Sequence, residues 1–577
     1  MISSTANNRL TRILEECEIF TQEQIDDLLI AQRAEGASIT ETVVQRGYAS
    51  EEDFLAALAK SMGIECMKVG DEEIEREILN CLPTKAVFQY HVIPIEDTGR
   101  TLRVATHDPF RPGLRDALQL ASGKRIRFAL ARDEHIDKAA KKFYGVGGEI
   151  IEGLMAYEDD VLDLGANLEF TGAADIDSTG EEASVVKFVN QIIWEAYESG
   201  ATDIHLEPQE KDLRIRYRID GVLHPTPLPP ELKRFQDRII TRIKVMANMD
   251  IAEKRLPQDG RISVRIKGSE IDIRVSTAPT VYGESVSLRL LMRSSNMLGM
   301  AKLGLGPDDS AIVEKMIRKP HGIILVTGPT GSGKSTSLYT YLATINDSTI
   351  RILTAEDPIE YEMAGINQVQ MKPEIGLTFA KTLRTMLRQD PDVIMVGEIR
   401  DKETAEISIQ AALTGHLVFS TLHTNDAAGA ITRLVDMGVE PFLVASSVEA
   451  LIAQRLVRTL CDECKIPADL TNYDLKELNF PTEKLPDSNV CQPNGCDTCR
   501  GTGYRGRTGI YEVLVMEDSI RPLIINRASS TEIKKLALTN GMRTLRDDGW
   551  RKVLEGNTTI EEVLRVSEDD EGDEQLM

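Results

Sequence analysis

Apolar positions in the first 65 residues come in two matching sets. Leu10, Leu14, Ile25 and Leu29 recur 29 residues later as Ile39, Val43, Phe54 and Leu58. A spacing of four within each pair is that of one helix face. Thr21 and Ser50 correspond in the two copies and look like helix N-caps. Residues 1–65 therefore read as two small helical hairpins. Residues 66–145 alternate strand-like and helical runs, with a strand over Arg100 to Ala105, a turn at Asp108-Pro109 and a helix over Gly113 to Ala121. Residues 184–300 read as a second α/β unit. There Ser184 to Ser199 is an amphipathic helix with Ser184 as its cap, and Leu213 to Ile219 and Ile271 to Val275 alternate as half-buried strands. In residues 301–460 apolar strands alternate with helices, which implies a mostly parallel sheet. Residues 461–510 hold a cysteine cluster, and 511–566 read as a helical end.

A chain of 577 residues exceeds what one hydrophobic core accommodates, so several domains are expected. With 42% apolar and 28% charged residues, the composition is that of a soluble globular protein. The net charge of −25 is unevenly placed. Between Lys142 and Lys187 there are 11 acids and no Lys or Arg, and 6 acids follow Arg565. Residues 146–183 thus read as an acidic flexible linker and 567–577 as an acidic tail. An acidic chain does not suit a general nucleic-acid coat. No apolar run approaches the roughly 20 residues of a membrane span, and Met1 to Leu10 has no apolar signal region. A cytoplasmic protein is expected, meeting a membrane only through partners.

The chemistry concentrates after residue 321. Gly-Ile-Ile-Leu-Val-Thr (322–327) is a buried strand, followed by Gly328-Pro329-Thr330-Gly331-Ser332-Gly333-Lys334-Ser335-Thr336 and a helix. This is G-x-x-x-x-G-K-S in its strand–loop–helix context. The glycines let backbone N–H groups wrap phosphates, and the helix points its positive end at them. Lys334 is expected on the β- and γ-phosphates and Ser335 on Mg²⁺.

Three further strands end in polar residues. Asp392 to Asp401 ends in Gly397-Glu398, a carboxylate suited to Mg²⁺ or water, although the generic template has Asp where Gly397 stands. Ile352 to Glu360 ends in Glu356, Asp357 and Glu360, one of which can orient or deprotonate water. Thr414 to Thr424 carries His416 and His423. Seven residues apart, the two rings cannot share a strand face, so His416 is expected to precede the strand. Surface charge and structural histidines are the plainer alternatives for these positions.

Cys461-x-x-Cys464 and Cys496-x-x-Cys499 are separated by 31 residues. Four thiolates at such spacing complete a tetrahedral structural zinc site. Cys491 is left out of it.

Four motifs in this order resemble the secretion ATPase superfamily that drives type II secretion and type IV pilus assembly. Gly328–Thr336 resembles its Walker A, Thr354–Glu360 its Asp box, Gly397-Glu398 its Walker B and Thr414–His423 its His box. In that family the Gly-Glu form is normal. Ala201 to Pro208, Arg216 to Gly221 and Arg255 to Arg261 are similar to its second N-terminal domain, and Gly541 to Leu545 and Gly556 to Glu562 to its C-terminal region. The resemblance implies an α/β multidomain fold: an N-terminal helical/α+β domain, a small PAS-like α/β domain, a RecA-like P-loop ATPase domain and a tetracysteine zinc insertion. It implies ATP hydrolysis by a homo-hexamer, with Glu356 as general base, Glu398 as the Walker B carboxylate, and Arg274 and Arg289 as arginines closing over the phosphates. His416 and His423 would be catalytic through the His box. Arg384 and Arg388 precede Walker B in the family's way. The implied partners are an inner-membrane platform protein and the cytoplasmic domain of a membrane partner.

The zinc module and long N-terminal region favour assembly or secretion over retraction. The N-terminal repeat resembles a module that binds cyclic di-GMP in some members. Here Thr11 and Glu18 replace expected glycines and Ser38 an expected Arg, although Gly47 is kept. An acid near a phosphodiester repels it, so that ligand is the less favoured reading. Two rival functions stand beside the motor. A DNA-uptake or conjugation motor would need a basic path, for which Arg234, Arg238, Arg242 and Lys244 are candidates. A nucleotide-gated scaffold would turn over little.

Overall fold

The computed structural model describes all residues except 1–2, 36–37, 71–73, 112, 145–167, 171–180, 227, 229, 293–298, 472, 474, 477 and 568–577. Nearly all of the acidic linker and tail lie outside the described residues. The chain divides into two compact units, residues 1–292 and 293–577.

The first unit opens with four helices, α1 (Ser3–Glu16), α2 (Gln22–Glu35), α3 (Ile39–Gln45) and α4 (Glu51–Met62). All eight repeat positions are buried in one cluster. Thr21 and Gln24 exchange side-chain-to-backbone bonds at the start of α2, and Ser50 accepts from Asp53 N–H at the start of α4. Next come β1 (Val92–Asp97), β2 (Thr101–Thr106) and β3 (Arg125–Leu130), a three-stranded sheet with helices packed on its core.

A seven-stranded sheet follows, made of β4 (Leu168–Phe170), β5 (Ala201–Pro208), β6 (Leu213–Ile219), β7 (Val222–Thr226), β8 (Gln258–Ile266), β9 (Ser269–Thr280) and β10 (Gly283–Met292), in the order β4-β8-β9-β10-β5-β6-β7. Every pairing in it is antiparallel. One face packs on the helices Glu181–Glu198 and Gln236–Met246. The first of these begins at Glu181, so Ser184 is not its cap but a buried residue of its first turn. Glu181, Glu182 and Ala183 are good helix formers, and they carry the helix upstream of a residue type that often starts one.

The second unit contains a second seven-stranded sheet. Its strands are β11 (Gly322–Thr327), β12 (Ile352–Glu356), β13 (Ile366–Gln370), β14 (Val393–Val396), β15 (Leu417–Leu422) and β16 (Val448–Leu460), then, after the two-residue strands β17 (Ile466–Pro467) and β18 (Cys491–Gln492), β19 (Tyr504–Val515). The order is β13-β12-β14-β15-β11-β16-β19, parallel except for β19. Ile323 and Leu325 enter one core and Ile324 and Val326 the other. Helices covering both faces explain why β11 reads as an unbroken apolar run.

β19 overturns part of the helical end expected over 511–566. The start of that span pairs with β16, placing Tyr511 opposite Gln454 and Leu514 opposite Leu451. The following helices, Arg521–Ile525, Ser530–Thr539, Leu545–Leu554 and Ile560–Val566, match the expectation.

Candidate active site

In a parallel sheet the C-terminal ends of neighbouring strands meet at one edge. Here Thr327 faces Leu422, Ser420 faces Val396, and Val396 faces Ala355. The phosphate loop, Glu398 and Glu356 follow those residues directly, so three distant sequence segments converge.

The loop has the backbone its glycines allow. Gly328 has φ +146° and Gly333 φ +92°. A Cβ on Gly328 would lie 2.6 Å from Gln454 O, and one on Gly333 2.7 Å from Gln454 Nε2. Ser332 is buried with its Oγ unpartnered among the described residues, whereas Ser335 is exposed on the first turn of the helix Lys334–Ile345. Lys334 Nζ donates to Gly328 O at 2.7 Å and Pro329 O at 2.9 Å. Burial lowers its ammonium to about 8; Glu398 pulls it back up and Arg455 pushes it down. Arg455 is itself buried, donating to Asn425 O at 2.9 Å and Gln454 O at 3.1 Å.

A lysine lowered to about 8 has a consequence for binding. Phosphate oxygens favour the charged amine, so nucleotide binding raises its pKa and takes up a proton above about pH 8. Calorimetry at about pH 8.5, in buffers of differing ionisation enthalpy, is expected to show uptake of part of a proton per site. Affinity should weaken as the pH rises through 8 toward 9.5, by up to about tenfold per unit.

A Cβ on Gly397 would stand 3.3 Å from Ala355 O and 3.5 Å from Glu356 Cα, so the two carboxylate-bearing strand ends approach closely. Glu398 Oε1 pairs with Arg400 Nη2 at 2.5 Å, and His423 Nε2 lies 3.5 Å from its Oε2. Glu356 is 4% exposed and accepts from Tyr339, Thr354 and Gln368.

His416 does not join this group. Its Nδ1 is 2.9 Å from Ala411 O, at the end of the helix Lys402–Leu413, and it precedes the N-terminal end of β15. The six residues of β15 put about 20 Å between it and the active edge. The two histidines stand at opposite ends of one strand, so it is His423 and not His416 that lies beside Glu398.

In the first unit Arg274 and Arg289 are direct partners across β9 and β10. Arg289 Nε donates to the nearly buried Asp203 at 2.9 Å. Lys244 leaves the proposed basic face. It is 1% exposed, pairs with Glu284 at 2.5 Å and donates to Glu253 O at 2.7 Å. Arg384 pairs with Glu403 at 2.7 Å.

The four zinc-candidate sulfurs lie within 4.8 Å of one another. Cys461–Cys496 is 3.8 Å, while Cys464–Cys499 and Cys496–Cys499 are both 3.7 Å. A tetrahedron with Zn–S of about 2.3 Å has edges of about 3.8 Å, so the thiols fit that ion. Backbone N–H groups of Cys496 and Gly503 each donate to Cys499 Sγ at 3.1 Å, as they would to a ligating thiolate. Cys491 lies apart, against Asn489 O.

Residues missed by the sequence reading are Tyr339, Gln368, Arg400 and Arg455. The available signal was weak: a tyrosine hydroxyl on a helix that follows a buried strand needs a partner once buried.

A phosphate-binding loop, its lysine and two carboxylates at one edge of a parallel sheet define a P-loop ATPase. Residues 178–565 match the family model of type II/IV secretion system proteins, and residues 62–150 match the MshEN domain, mostly beyond the helical repeat. The chain belongs to the type II/IV secretion system ATPase family, and its reaction is ATP hydrolysis. It is 42% identical to the type IV pilus assembly ATPase PilB of Myxococcus xanthus, covering 97% of this chain and 98% of that one. It is also 42% identical to the type II secretion system protein E of Xanthomonas campestris, covering 97% and 99%. Among solved structures it is similar to the pilus retraction motor PilT with bound ADP, at 28% identity and a TM-score of 0.44, covering 66% of this chain and 96% of that one.

Proposed function

We propose that this chain is a cytoplasmic, hexameric ATPase that powers type II secretion or type IV pilus assembly through an inner-membrane platform protein. The observation that carries the catalytic part is the meeting of Lys334, Glu398 and Glu356 at one sheet edge. Lys334 and the loop N–H groups hold the β- and γ-phosphates. Ser335, exposed beside the loop, would hold Mg²⁺, which would neutralise phosphate charge. Glu356 orients water and accepts its proton, and Glu398 sets the field at the γ-phosphate with His423 at its side. Arg274 and Arg289, neighbours on one sheet of the first unit, carry the kind of charge that would neutralise a transferred phosphoryl group, the role the family resemblance implies for them. Cys461, Cys464, Cys496 and Cys499 would hold a structural zinc, and the ATPase domain is RecA-like, preceded by a PAS-like domain.

The full-length similarity to PilB and to type II protein E supports assembly or secretion as the work done. No helix among the described residues is long and apolar enough to cross a membrane, in keeping with contact through a cytoplasmic domain of a membrane partner. Burial of Lys244 weakens the DNA-motor alternative, because it breaks the basic helix face that reading needs. The intact carboxylates weigh against a scaffold with little turnover.

The test is turnover per subunit against protein concentration, with native mass read in parallel. A rate that climbs several-fold as hexamers form is expected. A rate independent of concentration, with monomers as active as larger species, would overturn the ring.

A further inference from the structure

We propose that Tyr339, Thr354 and Gln368 form a clamp that positions the Glu356 carboxylate, leaving it one acceptor site for the attacking water. The inference rests on the reading of Glu356 as the group that orients that water.

Two of the three donors, Tyr339 and Gln368, are aimed by a neighbouring backbone N–H. The Tyr339 hydroxyl accepts from Glu360 N–H at 3.1 Å, so its own proton is free to go to Glu356 Oε2. Burial pushes the Tyr339 phenol far up, beyond the range in which it would lose that proton. Gln368 Oε1 accepts from Met363 N–H at 2.7 Å, which turns its amide nitrogen toward Glu356 Oε1 at 3.0 Å and Tyr361 O at 2.9 Å. Thr354, two residues earlier on β12, donates to the same Oε1 at 2.5 Å.

A carboxylate offers about four acceptor positions. Oε1 takes two donors and Oε2 one, which among the described residues leaves a single position, on Oε2. A carboxylate free to rotate would present either oxygen; this one is held in one orientation. Such fixing is worth much in rate, since misplacing a catalytic group by about 1 Å costs about 100-fold.

The clamp also joins two parts of the site. Tyr339 lies on the helix that begins at Lys334, five residues beyond it, and its ring packs edge-on against Tyr361 at 5.6 Å. Gln368 holds the backbone at both Tyr361 and Met363. A shift of the phosphate-loop helix on nucleotide binding is therefore passed directly to the carboxylate and to the loop that follows it. Tyr339 is thus a positioning residue.

The experiment compares Tyr339→Phe, Thr354→Val, Thr354→Ser and Glu356→Gln in the full chain, by steady-state ATPase assay and by equilibrium binding of a fluorescent ATP analogue. Tyr339→Phe and Thr354→Val are expected to lower kcat about 10- to 100-fold while the binding constant stays within about twofold. Thr354→Ser keeps the hydroxyl and is expected to retain most of the rate. If Glu356→Gln abolishes turnover while Tyr339→Phe and Thr354→Val run at the normal kcat, the clamp is wrong and the role of Glu356 stands. If Glu356→Gln turns over normally, the underlying reading of Glu356 fails as well. Equal losses in Thr354→Ser and Thr354→Val would assign the effect to packing and overturn the clamp.

Discussion

Replacing Glu398 with glutamine is expected to lower kcat by roughly three orders of magnitude while ATP still binds near pH 7. The substitution keeps shape and removes one charge at the point where Lys334, Arg400 and His423 meet. ATP is held by the loop and Lys334, which remain, so binding survives. On the proposed reading the reaction loses the fixed negative charge that sets the field at the γ-phosphate, an effect concentrated in the transition state. A pH dependence follows. Glu398 favours the charged form of Lys334, whose ammonium burial has already lowered to about 8. Without that carboxylate Lys334 loses its proton at lower pH, so nucleotide affinity in the mutant should fall off earlier as the pH rises. Single-turnover hydrolysis and equilibrium binding measured from pH 7 to 9 check both parts. A mutant with more than about a tenth of the normal kcat would remove Glu398 from the chemistry.

The second large effect concerns the four cysteines. The purified chain is expected to carry one zinc, and the double substitution Cys464→Ser/Cys499→Ser to carry none, read by elemental analysis. Structural zinc contributes on the order of 10–16 kcal/mol to small metal-folded modules, more than such a module gains from its own core. Its loss should free the two C-x-x-C turns, whereas Phe480 and Leu485 between them still pack with Trp550 and Val553. The sheet itself should survive, because β16 and β19 pair directly down to Leu460 opposite Tyr504, at the base of the insertion. Limited proteolysis should therefore cut within the module while ATP-analogue binding at the phosphate loop persists. A double mutant that keeps its zinc, or resists protease like the parent, would refute a structural metal centre.

How far the site was legible depended on how local each feature is. The phosphate loop was readable because its geometry arises from adjacent glycines, a strand before and a helix after. The N-terminal repeat was readable because a helix face repeats at fixed spacing, and all eight of its apolar positions are buried. The two C-x-x-C pairs were readable as chelating units, although only folding brings Cys461 within 3.8 Å of Cys496. Other features were not readable. The odd spacing of His416 and His423 already set His416 before the strand, but only the fold shows that His423 lies 3.5 Å from Glu398. Lys244 had the spacing of an exposed basic face, yet Glu284, from a strand 40 residues away, takes it into the core. Residues 504–511 carry glycines and arginines that suggest no strand, and β16 supplies the pairing that makes one.

By itself the sequence determined the phosphate-loop motif, the helical repeat and the two C-x-x-C pairs, because each is written among near neighbours. Tertiary structure alone decided which carboxylate is clamped, which histidine reaches Glu398 and how closely the strand ends at Gly397 and Glu356 approach. Those answers depend on parallel strands that align their C-terminal ends across the sheet, setting Glu356, Glu398 and Lys334 side by side although their sequence spacing carries no trace of it.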